Sequence, residues 1–301
     1  MMAYIMLLLS IPALYLGARL VTEGARHMAR VASVPEFVIG STIVAMGTSL
    51  PELASSLTAM ASGHPGIVAG NVLGSNIANI GLALGLAGML YSIYVCRRIT
   101  DTDIPMLLAS AIATLVVFMD MDVGRIEGSI LILMYLAFIH HEVSGRQGSD
   151  GTEREAPSPR PILGFLLGLL LLYLGGRYLI SSALEISESL GVSEPVIAFF
   201  LVALGTSLPE VATSIVAARD GRDEIAVGNL IGSNVFNSLV VLGTCSFLGS
   251  IASDGSFLLF ALPAMLAMSI LLGFVSLNNT ITRLEGALLF LLYTALAAEL
   301  L

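Results

Sequence analysis

The sequence predicts an all-α integral membrane protein with ten transmembrane helices, arranged as two inverted five-helix repeats with broken helices at their centre. Three observations predict this fold class. The composition is too apolar for a protein in water, the chain repeats itself at a fixed offset, and its arginines gather on one side of a ten-helix topology.

The composition belongs to a membrane protein. Of 301 residues, 56% are hydrophobic and 12% are charged, and the mean hydropathy is +0.92. Soluble domains carry about 25% charged residues, whereas one bilayer span needs roughly 20 mostly apolar residues. The apolar content therefore suffices for about ten spans. This composition excludes a water-soluble enzyme, a DNA-binding module and a secreted disulfide scaffold. The two cysteines, Cys96 and Cys245, lie far apart in sequence and form no redox or metal motif.

An internal repeat divides the chain into two halves. The hexapeptide GTSLPE stands at residues 47–52 and returns 158 positions later, at 205–210. The same offset relates three further pairs of segments: GN-x-x-GSN at 70–76 and 228–234, YLGAR at 15–19 and YLGGR at 173–177, and RIEG at 125–128 and RLEG at 283–286. One module of about 140 residues is therefore used twice.

Each module contains five candidate helices. In residues 1–141 they fall near 3–30, 35–61, 66–92, 104–120 and 126–141, and in residues 161–301 near 162–190, 195–218, 225–250, 256–275 and 284–301. Residues 142–160 are rich in charge, Gly, Ser and Pro, which predicts a polar linker. An odd number of spans turns the second copy upside down in the membrane.

The distribution of arginine tests this topology, because positive charge stays cytoplasmic. With both termini outside and the linker cytoplasmic, eleven of the thirteen arginines fall inside, and only Arg125 and Arg177 fall outside. The segments placed outside are acidic. The sequence therefore predicts a multi-pass protein of the cell membrane with N- and C-termini outside.

Two glutamates mark the candidate site. Glu52 is the only charged residue between Phe37 and Cys96, and Glu210 is the only one between Pro195 and Ala218. A charge within a membrane helix costs at least ~2.5–3.5 kcal/mol on insertion scales, and such residues usually mark ion or substrate paths. The alternative is a protonated glutamate bonded to a neighbouring helix, but its recurrence in identical hexapeptides favours an ion path.

Residues beside each glutamate add oxygen ligands. Thr48 and Ser49 share one helix face with Glu52, and Pro51 lacks an N–H, which predicts freed carbonyls between Ala45 and Thr48. The second copy offers the equivalent residues: Thr206, Ser207, Pro209 and Glu210, with carbonyls near Ala203. Irregular backbone at membrane depth is tolerated only where it is buried in protein or lines a cavity.

The next helix of each half carries a polar stripe of period four. Its members are Asn71, Ser75 and Asn79 in the first half, and Asn229, Ser233 and Asn237 in the second. For Asn71 and Asn229 the sequence leaves open whether they ligate an ion or bond between helices. All-oxygen ligation suits Ca²⁺ and Na⁺ and disfavours zinc or copper.

At these residues the sequence resembles the cation/Ca²⁺ exchanger superfamily, and most closely the prokaryotic sodium/calcium exchangers. The family's two α-repeats correspond to 40–85 and 198–243 here. By similarity, Glu52 and Glu210 would be shared Ca²⁺ and Na⁺ ligands. The resemblance adds the carbonyls of Ala45, Thr48, Ala203 and Thr206, the hydroxyls of Ser49, Ser75, Ser207 and Ser233, and the amides of Asn79 and Asn237. It also implies that the long first and sixth helices slide to switch access.

The resemblance predicts an antiporter, not an enzyme, which exchanges Na⁺ for Ca²⁺ with about three Na⁺ per Ca²⁺. Both ions bind as transported substrates, the lipid bilayer is the surrounding partner, and no cofactor, nucleic acid or obligate protein partner is expected. Asn79 and Asn237 argue against K⁺ coupling, because potassium-dependent relatives use Asp on these helices.

Three other functions remain open. The first is H⁺/Ca²⁺ exchange through the same two glutamates, with H⁺ in the place of Na⁺. The second is an intramembrane hydrolase, against which stands the absence of H-E-x-x-H and G-x-S-x-G motifs. The third is a passive cation channel, although broken helices in inverted repeats are typical of alternating-access transporters.

Overall fold

A computed structural model describes residues 2–144, 155–189, 206–253 and 255–299 of the chain. These residues form eleven helices, several of them with a π-helical stretch: α1 Met2–Ala32, α2 Glu36–Thr48, α3 Leu50–Ala61, α4 Pro65–Leu90, α5 Ile99–Val117, α6 Arg125–Ser144, α7 Pro159–Ser189, α8 Leu208–Arg219, α9 Asp223–Leu248, α10 Gly255–Val275 and α11 Arg283–Glu299. Four strands of two residues each lie between helices: β1 Ile93–Tyr94, β2 Asp122–Val123, β3 Ile251–Ala252 and β4 Thr280–Ile281.

The fold is that of a multi-pass membrane protein. Seven helices of the described ranges are long and apolar enough to cross a bilayer, and α2 with α3 makes an eighth as a bent pair. Exposed leucines on the outer helices, such as Leu133, Leu163 and Leu259, suit contact with lipid. The predicted helix at 104–120 begins earlier, at Ile99, and part of the predicted helix at 195–218 lies outside the described residues.

Two helices form the centre of the bundle. In their most apolar stretches α4 is 83% buried and α9 is 94% buried, whereas α1 is 33% and α7 28% buried. Small residues allow the close approach that such packing needs. A Cβ on Gly232 of α9 would overlap the Ser41 carbonyl of α2, and one on Gly228 would come within 2.8 Å of the Phe37 carbonyl. The backbones of α2 and α9 therefore touch directly.

The long helices α1 and α7 pack against each other through glycine. A Cβ on Gly17 would lie 2.8 Å from the Gly168 carbonyl, and a Cβ on Gly168 equally close to the Gly17 carbonyl. At these glycines the two backbones therefore touch directly. These helices lie at the edge of the bundle, beside α8 and α2.

The strands join the two halves reciprocally. β1 pairs antiparallel with β4 (Ile93 with Ile281), and β2 pairs antiparallel with β3 (Val123 with Ile251). The offset of 158 residues converts one pairing into the other, residue by residue. The helices α3 and α8 also begin and end at equivalent positions. The sequence repeat thus recurs in the strand pairings and in the bounds of these helices, although the sequence did not predict the strands.

Candidate functional site

The two glutamates occupy equivalent positions at the start of short helices. Glu52 is the third residue of α3 and Glu210 the third of α8, and both are fully buried. Before each helix stands a serine of nearly identical backbone conformation: Ser49 has φ −90° and ψ 8°, and Ser207 has φ −83° and ψ 2°. The positive end of each helix dipole therefore lies at its glutamate, which favours the carboxylate there.

The predicted break in the first half is present. α2 and α3 meet at an angle of 40° at Ser49. Because Pro51 has no N–H, the Gly47 carbonyl loses its usual helical donor. The Ala45 carbonyl, however, is not freed as predicted: it accepts the Ser49 N–H at 3.0 Å and the Thr48 hydroxyl at 3.4 Å, since Ser49 still carries an N–H. Ala203, its counterpart, lies outside the described residues.

Side chains of one half contact the glutamate of the other half. The Ser49 hydroxyl donates to Glu210 Oε1 at 2.9 Å, although Ser49 precedes Glu52 in sequence. The Thr206 hydroxyl, from the second half, lies near the Glu52 carboxylate without a hydrogen bond to it. Ser233, on α9, donates to Glu210 Oε1 at 3.5 Å. The two copies of the motif therefore interleave into one site.

The threonines are held by two asparagines of the polar stripes. Thr48 donates to Asn229 Oδ1 at 3.0 Å, and Thr206 donates to Asn71 Oδ1 at 3.3 Å, which is the equivalent bond. Asn71 also donates to the Glu52 carbonyl at 3.0 Å. Both asparagines thus bond between helices. Ser75 completes the group, 3.4 Å from the Thr206 hydroxyl.

Asn79 and Asn237 lie at the start of π-helical segments in the middle of α4 and α9, Asn79–Leu84 and Asn237–Val241. Both asparagines are fully buried. Asn79 Nδ2 donates to Asn234 Oδ1 at 2.9 Å, whereas Asn79 Oδ1 and both polar atoms of Asn237 have no partner in the part of the chain that the structure describes. Single π turns inside α-helices are frequent at functional sites.

Unsatisfied oxygens concentrate at this site. Within the described ranges, buried acceptor atoms without a hydrogen-bond partner include Glu52 Oε1 and Oε2, Glu210 Oε2, Asn79 Oδ1 and Asn237 Oδ1. The ion pairs of those ranges involve neither Glu52 nor Glu210. Burying polar groups without partners costs free energy, and a cation bound among these oxygens would satisfy them.

Three residues of the site had no role in the sequence prediction. Asn76 donates to Ser238 Oγ at 2.8 Å, and Asn234 donates to the Asn76 carbonyl at 3.2 Å. These bonds cross between α4 and α9 and hold the two helices in register around Asn79 and Asn237. The repeated GSN triplet was the available signal, since its Asn is present in both copies.

Two cavities lie between α7 and the site. One of about 280 Å³ lies between α7 and the break, against Gly47, Thr48 and Pro209. The other, of about 520 Å³, extends from Thr206 along α3 and α7 to Thr58 and Arg177.

Known proteins resemble this chain in sequence and in fold. The family model "Sodium/calcium exchanger protein" matches residues 2–142 and 160–299. The sodium/calcium exchanger MaX1 of Methanosarcina acetivorans is 32% identical, over 97% of this chain and 96% of its own length. Structures of the sodium-calcium exchanger NCX_Mj superimpose with TM-scores of 0.88 and 0.87, at 30% and 31% identity, and cover 99% or more of this chain. The chain belongs to the sodium/calcium exchanger protein family.

Proposed function

We propose that this protein is a secondary antiporter that exchanges Na⁺ for Ca²⁺ by alternating access. The observation that carries the proposal is the pair of fully buried carboxylates, Glu52 and Glu210, with unpartnered oxygens among neutral Ser, Thr and Asn side chains from both halves. Such a set of hard oxygen donors fits Ca²⁺ and Na⁺. Membership of the sodium/calcium exchanger family supports the same function.

In this proposal the ligands divide by type. Ca²⁺ binds between Glu52 and Glu210, with the carbonyls of Ala45, Thr48, Ala203 and Thr206 in its shell. Ala45 O accepts a long bond of 3.4 Å from the Thr48 hydroxyl beside its bond to the Ser49 N–H, and an ion would take the place of this long bond. The flanking Na⁺ ions use the serine hydroxyls, Ser49 and Ser75 on one side and Ser207 and Ser233 on the other, while the middle Na⁺ uses Asn79 and Asn237.

We further propose ten spans in two inverted repeats. With both termini outside, the connections that contain β1 and β4 lie on the cytoplasmic side, and those that contain β2 and β3 lie outside. The observed pairings, β1 with β4 and β2 with β3, join connections that this topology places on the same side. Helix α11 and the helix that the sequence predicts at 195–218, of which α8 is the described part, supply the two spans beyond the eight found by length and hydropathy.

Access changes when α1 and α7 move as a pair along the site. Their glycine contacts hold them together, and they lie at the edge of the bundle beside α8 and α2. The cavities along α7 are the route to one side of the membrane in this proposal. Movement of the pair would close that route and open one on the other side, as expected for inverted-repeat transporters.

The direct test is ⁴⁵Ca²⁺ uptake into proteoliposomes loaded with Na⁺ and diluted into Na⁺-free buffer. We expect uptake that follows the outward Na⁺ gradient and that stops when Na⁺ is equal on both sides. A matched experiment imposes a proton gradient without Na⁺. Uptake driven by protons alone would replace this proposal with H⁺/Ca²⁺ exchange through the same glutamates.

A further inference from the structure

A third cavity lies away from the ion site, where the end of α1 meets the beginning of α7. Its volume is about 390 Å³, within the range of ligand pockets. Its polar lining comes from three arginines, one histidine and two glutamates: Arg26, Arg30, Arg160, His27, Glu23 and Glu155. We call it the arginine pocket.

One side of the arginine pocket is already neutralised. Glu155 pairs with Arg30 at 2.5 Å and with His27 Nδ1 at 2.7 Å, and these hydrogen bonds lower the pKa of Glu155, which keeps it ionised. The Ser158 N–H donates to His27 Nε2 at 3.2 Å. Glu23 pairs with Arg19 at 2.8 Å.

Two guanidinium groups remain. Arg26 and Arg160 form no ion pair with any residue that the structure describes, and Arg26 Nε is buried without an acceptor. Arg26 also lies close to Arg30 and Arg222 and to the glutamates that pair with them, Glu155 and Glu36. Because these glutamates already pair with other arginines, the buried Nε donor of Arg26 is left for an anion that accepts from it.

The backbone adds to this preference. Helix α7 begins at Pro159, and its first turn, which carries no acidic residue, contributes Arg160 and Pro161 to the arginine pocket. The N-terminus of a helix is the positive end of its dipole and favours anions. The pocket therefore combines this dipole with two arginines that form no ion pair with a described residue.

The surroundings of the arginine pocket are those of a lipid and not of a soluble ion. Just beyond its lining, α7 exposes Leu163, Leu166 and Leu167 by 63%, 56% and 51%. Basic pockets between membrane helices bind anionic headgroups. An acyl chain can lie along these leucines while its phosphate enters the pocket.

We propose that the arginine pocket binds the phosphate headgroup of an anionic phospholipid, which bridges α1 and α7 on the linker side of the membrane. Arg26 and Arg160 hold the phosphate, and the Glu155–Arg30 pair forms the opposite wall. The site lies apart from Glu52 and Glu210, so its existence does not depend on the ion that the protein transports.

The test measures binding without transport. Purified protein is titrated in neutral detergent with phosphatidylglycerol, with phosphatidylcholine or with inorganic phosphate, and thermal stability is followed. We expect phosphatidylglycerol to stabilise the wild type, and Arg26→Gln and Arg160→Gln each to weaken its apparent affinity roughly fivefold. Arg97→Gln is the matched control, because it removes one exposed arginine elsewhere and should leave the affinity unchanged.

Two variants distinguish a lost binding contact from a loss of folding. Arg26→Lys retains the charge and should retain most of the affinity, and Arg160→Gln alters an exposed side chain whose loss leaves folding intact. Unchanged phosphatidylglycerol affinity in Arg160→Gln, or an equal loss in Arg97→Gln, would overturn the proposed site. Equal stabilisation by inorganic phosphate would overturn the lipid and assign the pocket to a soluble phosphate.

Discussion

At the scale of residues, the crossed contacts explain why two copies of a motif make one site. Ser49 reaches Glu210 and Thr206 lies beside Glu52, so each glutamate depends on the opposite half. A change of angle between the halves alters both glutamates together. The arrangement thereby couples the ligands to any motion that moves one repeat against the other.

The first prediction concerns the carboxylates. Glu52→Gln and Glu210→Gln should each nearly abolish Na⁺-driven ⁴⁵Ca²⁺ uptake, because the neutral amide removes the charge that balances Ca²⁺. Expression and thermal stability in the absence of ions should persist, because each substitution removes a buried carboxylate that has no counter-ion and is itself destabilising.

The control for this prediction is Glu23→Gln, which neutralises an exposed glutamate of α1. It should transport at nearly the wild-type rate. Rates close to wild type in both Glu52→Gln and Glu210→Gln would contradict the assignment of these residues as ligands.

The second prediction separates Na⁺ from Ca²⁺ ligands. Ser49→Ala removes a hydroxyl that bonds to Glu210 at 2.9 Å and that we assign to a flanking Na⁺. The Na⁺ concentration for half-maximal exchange should rise, by roughly tenfold if a hydrogen bond to a charged group is lost. The Ca²⁺ dependence should change less. Ser62→Ala, at an exposed turn, is the control and should change neither concentration. If Ser49→Ala shifts the Na⁺ and the Ca²⁺ dependence equally, Ser49 only positions Glu210.

The sequence could predict the glutamates because each is alone in an apolar segment. It could not predict which serine contacts which glutamate, since that depends on how α2, α8 and α9 pack. The bonds of Asn76 and Asn234 likewise depend on the register between α4 and α9. Local chemistry was thus predictable, whereas contacts between distant segments were not.

At the scale of elements, a single proline accounts for the helix break, whereas no single residue accounts for the π-helical segments. Pro51 and Pro209 lack the N–H that a continuous helix needs, and this is readable in the sequence. The π-helical turns at Asn79 and Asn237 have no such signature, because any residue can occupy them. Their place in the middle of a buried helix is fixed by packing around the site.

The third prediction tests the direct contact of α2 with α9. Gly232→Ala should destabilise the protein and lower exchange, because the added methyl group would overlap the Ser41 carbonyl, and backbone cannot rotate away as a side chain can. The thermal midpoint in detergent and the rate of ⁴⁵Ca²⁺ uptake measure the two effects.

Gly66→Ala, at the beginning of α4, is the matched control. Among the described residues its methyl group would come only within 3.7 Å of the Ala252 carbonyl, an ordinary contact. A Gly232→Ala protein as stable as Gly66→Ala would show that α2 and α9 can separate without cost.

At the scale of the whole molecule, the internal repeat recurs both at the ends and at the centre of the protein. The strand pairs and the bonds of Thr48 and Thr206 obey it. The halves differ at other points: Asn71 bonds to Ser56, whereas Asn229 Nδ2 and Ser214 have no partner among the described residues. An exact copy would make the two access states equal in energy, and such differences allow one to be favoured.

The fourth prediction tests the membrane topology. Single cysteines replace Ser62, in the connection before α4, or Ser144, at the end of α6, in a protein without Cys96 and Cys245. Both serines are exposed. An impermeant thiol reagent should label Ser62→Cys from outside intact cells and Ser144→Cys only after permeabilisation. Burial raises the pKa of the Cys96 thiol, so this cysteine reacts slowly with the reagent. Its removal eliminates the remaining background labelling. Labelling of both from one side would contradict the inverted repeats.

The last prediction is that exchange moves net charge. The site offers two carboxylates and otherwise neutral oxygens, so one Ca²⁺ balances both glutamates, whereas three Na⁺ leave one positive charge for Ser and Asn oxygens to accommodate. Each cycle of three Na⁺ for one Ca²⁺ then carries one elementary charge, worth about 2.3 kcal/mol per 100 mV. In proteoliposomes with a fixed Na⁺ gradient, an inside-positive potential set with valinomycin and K⁺ should speed Ca²⁺ entry, because three charges leave for every two that enter. An inside-negative potential should slow it. A rate that does not respond to either potential would mean two Na⁺ per Ca²⁺, with the middle position at Asn79 and Asn237 unused by Na⁺.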